Sequence, residues 1–139
     1  MQQWLVHLAS RLSLALTWIY QGLAPKLIER HAGELTMIQE GGFSEAASQI
    51  VLTGMGIFEV AIGLSCILFW RNRAIFPIMG GLLAGFALGA FWTQPSIFLE
   101  PFNPASLTIA MLALCAIGWL SMAGLPSAAN CIRINPRST

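Results

Sequence analysis

The chain has 139 residues, of which 56% are hydrophobic and only 9% charged, whereas soluble domains carry about 25% charged residues. That excludes an ordinary soluble domain. With a formal charge of +1 and no basic patch large enough to follow a phosphate backbone, it also excludes a nucleic-acid binder.

Four apolar runs stand out, over residues 12–28, 50–70, 74–92 and 104–125. Each is close to the ~20 residues that cover a ~30 Å hydrocarbon layer at 1.5 Å per residue. The pattern predicts an all-α integral membrane four-helix bundle over residues 1–125, followed by a short cytoplasmic tail, 126–139. The charges between the runs set its direction. Arg11, Arg71, Arg73, Arg133 and Arg137 fall on one side, whereas Lys26, Arg30, Glu29, Glu34, Glu40, Glu45 and Glu100 fall on the other. The positive-inside rule then places both termini in the cytoplasm.

In the first run, Arg11 and Lys26 bracket the apolar stretch, and both are expected to reach water along their long stems. A signal peptide would also follow a basic residue, but no small-residue cleavage site follows, and Trp18, Tyr20 and Gln21 interrupt the apolar stretch. Pro25 removes a backbone donor inside the helix and frees the carbonyl near Gln21, and a bend there would re-aim Lys26. The first connection carries Leu35, Met37 and Ile38, which suit a short amphipathic turn on the membrane surface, closed by Gly41-Gly42. Ser44 followed by Glu45 reads as a helix start.

The second run carries Glu59 near its middle. An acid at that depth costs roughly 2.5–3.5 kcal/mol and is expected to face the bundle interior. Counting inward from the shared end of two antiparallel helices sets Glu59 opposite residues 19–21, so Tyr20 and Gln21 are candidate hydrogen-bond partners. Lys26 lies ~10 Å further out by helical rise and Arg11 ~13 Å away on the other side. Lys26 is the preferred counter-charge, with Arg11 the alternative.

The third run follows the tight turn Arg71-Asn72-Arg73, tolerates Pro77 in its first turn, and carries Gly81, Gly85 and Gly89 at four-residue spacing. That groove suits close packing, within this chain or across a homodimer. Asn103-Pro104 opens the fourth run as an N-cap with proline at the first helical position. Cys66, Cys115 and Cys131 form no paired motif and read as small apolar thiols. His7 and His31 fall on opposite sides, so neither a haem nor a metal site is expected.

Three segments together resemble the DoxX-like family of small bacterial membrane proteins. They are RLSLALTWIYQGLAPKL from Arg11 with Glu34-Leu35 after it, GIFEVAIG around Glu59, and FNPASL around Asn103. The resemblance implies a four-helix membrane bundle. Because its name-giving relatives are subunits of a thiosulfate:quinone oxidoreductase, it also implies a quinone-linked role beside a soluble or membrane oxidoreductase. Arg11, Tyr20, Gln21, Lys26, Glu59 and Asn103 are the positions where the family-like motifs and the residue chemistry coincide. The expected function is therefore an accessory, non-catalytic component that binds an apolar ligand such as quinone, with no covalently bound cofactor. Two alternatives stay open: a membrane enzyme using Glu59 as acid or base on a lipidic or sulfur substrate, and a structural partner or small transporter.

Overall fold

The computed structural model describes residues 2–99 and 103–122, all in helices, turns and loops with no strand among them. The tail expected from residue 126, with Cys131, Arg133 and Arg137, lies outside the described residues.

Helix α1 spans Gln2–Gly22 and widens into π-helical turns over Leu23–Ile28. The cause is Pro25: it has no N–H to offer, so the α-helical ladder cannot pass through it. The segment closes with Glu29 N–H donating to Ala24 O at 3.0 Å and His31 N–H to Pro25 O at 2.8 Å. Arg30 turns the chain with φ +49°, a backbone region that side chains seldom occupy. Helix α2, Ala32–Glu40, ends at Gly41-Gly42, where Gly42 takes φ +97°. Helix α3, Glu45–Leu68, starts with the Ser44 hydroxyl accepting from Ala47 N–H. A tight turn leads into α4, Ile75–Thr93. A 3₁₀ turn over Pro95–Leu99 precedes α5, Pro104–Ser121, which Asn103 caps by accepting from Ser106 N–H at 2.9 Å.

Helices α3, α4 and α5 are each long and apolar enough to cross a membrane. Helix α1 is not among them by that measure, because His7, Ser10, Arg11, Ser13, Thr17 and Gln21 dilute its apolar character.

Helix α1 lies between α3 and α5, α4 packs on α5, and α3 and α4 barely touch. The apolar core draws Leu14, Ala15 and Trp18 from α1, Cys66 from α3, Phe76, Met79 and Leu83 from α4, and Met111 and Cys115 from α5. It therefore fills the half of the molecule nearest the α3–α4 turn.

Both charges that bracket the first run turn inward instead of reaching water. Arg11 is fully buried, donating to Phe69 O at 3.1 Å and Asn72 O at 3.2 Å between the rings of Trp70 and Phe76. The carbonyls at the end of α3 have no helical donors of their own, and a cation there meets the negative end of the helix dipole. His7 completes this end of the bundle, with Nδ1 at 3.1 Å from Ser121 Oγ.

Candidate functional site

Glycine brings α1 and α3 together. A Cβ added at Gly56 would stand 2.9 Å from both Gly22 O and Lys26 Cβ, and one at Gly22 would stand still closer to Gly56 O. With neither present, the two backbones touch at the level of Glu59.

The buried stripe of α3 is Ser48, Leu52, Gly56, Glu59, Gly63 and Cys66, steps of three and four that lie on one helical face. Glu59 is on that stripe and faces α1. Its Oε2 is 3.0 Å from Lys26 Nζ, with side-chain exposures of 6% and 8%. Lys26 also pairs with Glu34 Oε2 of α2 at 3.2 Å and donates to Gln21 O at 3.4 Å. Gln21 O is the acceptor that an N–H at position 25 would have used in an unbroken α-helix. One ammonium thus serves two carboxylates and a carbonyl.

This cluster forms part of the wall of a cavity of about 890 Å³, within the range of small-molecule sites. Trp18 and Gln21 of α1 and Val51, Met55 and Glu59 of α3 form one side. Leu83, Gly85, Phe86 and Gly89 of α4, the capping Asn103, and Leu107 and Met111 of α5 form the other, with Glu34, Met37 and Ile38 of α2 also contributing. The walls are mostly apolar, and the ionisable groups come from the π-helical end of α1, from α2 and from α3. Such a shape suits an amphiphile: the apolar walls take a hydrocarbon body and the charged cluster takes a polar head.

The sequence-selected residues separate into two groups. Glu59, Lys26, Gln21 and Asn103 line the cavity. Tyr20 and Arg11 do not. Tyr20 is 66% exposed on the outside of the bundle, because Gly22, not Tyr20, is the residue that meets Glu59. Arg11 is committed to the end of α3, away from Glu59. The glycine row also reads differently in three dimensions. Among the described residues, no atom outside the adjoining backbone stands within 4 Å of a Cβ added at Gly81, Gly85 or Gly89, so none of the described helices packs closely on these glycines, and Gly85 and Gly89 line the cavity. Met37 and Ile38 of α2 likewise turn to the cavity.

Sequence reasoning missed Glu34 as a second partner of Lys26 and Trp18 as a wall residue. For Glu34 the signal was its place in the family-like segment, but the reversal at Arg30 that brings it to Lys26 is not marked by glycine. For Trp18 the signal was its spacing: it precedes Gly22 by four residues and so shares the face that meets α3.

Residues 15–116 match the profile of a family described as the DoxX-like family. No curated protein and no solved structure matches the chain.

Proposed function

From the premise that this chain belongs to the DoxX-like family, we propose that it is an accessory component of the bacterial inner membrane that holds an apolar, quinone-like ligand. The ligand's head lies at the Glu59–Lys26–Glu34 cluster and its tail along the apolar walls. The observation that carries this reading is the joining of a buried ion cluster to a largely apolar cavity of about 890 Å³. Helix α1 serves as a fourth span, supported by its length and its packing along α3 and α5. The arginines near the α3–α4 turn support a cytoplasmic position for that turn. An oxidoreductase that delivers electrons to the ligand is the fitting partner, since the two cysteines among the described residues, Cys66 and Cys115, are both free.

The test is calorimetric titration of the purified protein in lipid nanodiscs with a decyl-substituted benzoquinone. Saturable binding is expected, about tenfold weaker in Glu59→Gln, the scale of one charge-assisted hydrogen bond. Absence of binding refutes the reading. Unchanged affinity in Glu59→Gln removes the head from this cluster.

A further inference from the structure

Lys26 lies in the cavity wall with three acceptors about its ammonium: Glu59 Oε2 at 3.0 Å, Glu34 Oε2 at 3.2 Å and Gln21 O at 3.4 Å. An ammonium has three N–H groups and accepts nothing, so its donors are all engaged. The carboxylates are in the opposite position. Each accepts at about four lone-pair sites when ionised, and one lysine cannot fill the sites of two. With both carboxyls ionised, the cluster also carries one more negative charge than positive. What it offers a ligand is therefore acceptors, and Glu34, whose side chain is 25% exposed and lines the cavity, is the more accessible of the two.

The rest of the wall does not redress this. The Thr93 and Ser106 hydroxyls donate to backbone carbonyls, Gly89 O and Asn103 O, and the Trp18 indole nitrogen is enclosed by protein atoms. The Thr108 hydroxyl and the amides of Gln21 and Asn103 belong to groups that donate and accept alike, which favours neither class of head.

We infer that the cavity selects amphiphiles whose head donates hydrogen bonds, a hydroquinone-type hydroxyl in preference to a quinone carbonyl. This deepens the ligand reading above and rests on it. A hydroxyl adds its O–H to a carboxylate and leaves every bond of Lys26 as it stands. A carbonyl brings only an acceptor, and it gains an N–H of Lys26 only by taking it from Glu34 or Gln21. The two heads fill the same space and differ by one charge-assisted hydrogen bond.

The experiment titrates three probes calorimetrically into the full chain in nanodiscs, at neutral pH and under argon. They are a decyl-substituted benzoquinone, the corresponding hydroquinone, and that hydroquinone methylated on both oxygens. In wild type, the hydroquinone is expected to bind about tenfold more tightly than the benzoquinone, the scale of one hydrogen bond to a charged group. The methylated ring keeps the oxygens and loses the O–H donors, and is expected to bind at least about tenfold more weakly than the hydroquinone by the same scale. Glu34→Gln removes the more accessible carboxylate and loosens one N–H of Lys26 while Glu59 still holds the ammonium. It is expected to weaken hydroquinone about fivefold and to strengthen benzoquinone about twofold, moving the two probes in opposite directions.

If benzoquinone binds wild type as tightly as hydroquinone, if methylation leaves the affinity unchanged, or if Glu34→Gln moves both probes the same way, the donor-head inference is overturned and the ligand site stands. The first two comparisons use wild type alone and decide the matter whether or not the variant folds. If wild type binds none of the three probes, the ligand reading falls and takes this inference with it.

Discussion

Lys26→Met removes the hub of the buried charge cluster and keeps the length of the side chain. In the native protein the ammonium is 3.0 Å from Glu59 and 3.2 Å from Glu34, and Glu59 has no other cation beside it among the described residues. Methionine therefore strands Glu59, whose side chain is 6% exposed, and stranding one member of a buried pair costs about 3–5 kcal/mol. Glu59→Gln is milder. It leaves Lys26 still paired with Glu34, whose side chain is 25% exposed, so the loss is about 1 kcal/mol, the value of one hydrogen bond. The double variant Lys26→Met, Glu59→Gln no longer holds a stranded charge and should lose only about 2 kcal/mol, well short of the sum of the single losses, since residues in contact do not act additively. Denaturant titration in detergent micelles, followed by far-ultraviolet circular dichroism at neutral pH, measures all four proteins. Equal losses for the two single variants, or additive losses in the double, would refute the hub arrangement.

Arg11→Met should cost about 2–3 kcal/mol in the same titration, because two charge-assisted bonds to Phe69 O and Asn72 O disappear, while benzoquinone affinity stays the same. Tyr20→Phe should change both stability and affinity negligibly, within about 0.5 kcal/mol, since the ring is on the outside; a clear loss of affinity would return Tyr20 to the site. Gly85→Leu should fold at least as well as the parent, because among the described residues no atom outside the adjoining backbone stands within 4 Å of the new Cβ and a glycine inside a helix costs about 0.5–1 kcal/mol relative to alanine. Its side chain enters the cavity, however, so benzoquinone binding should fall at least about tenfold, the equivalent of 1.4 kcal/mol.

Much of the site could be read from composition and local chemistry. Glu59 announces itself because an acid inside an apolar run has no cheap place to go but inward. Pro25 marks Gln21 O as an acceptor in want of a donor, and Lys26 is the nearest residue able to supply one. Asn103 and Ser44 cap their helices through bonds within three residues, contacts that need no tertiary fold. The structure turns Tyr20 to the outside and Trp18 to the cavity wall. Both are apolar rings with a polar handle, and counting residues fixes depth in the membrane but not direction around the helix axis.

By itself, the sequence determined that α3, α4 and α5 are apolar enough to leave water, because transfer free energy sums over residues whatever they later touch. It likewise determined that one carboxyl must be accommodated among them. Which face of each helix turns inward was decided only by tertiary structure, since lipid tails and a protein core are equally apolar and hydropathy cannot separate them. Close approach at Gly22 and Gly56 sets the rotation of α1, bringing Lys26 and Trp18 to the cavity and Tyr20 to the outside. The reversal at Arg30 then delivers Glu34 to the same ammonium.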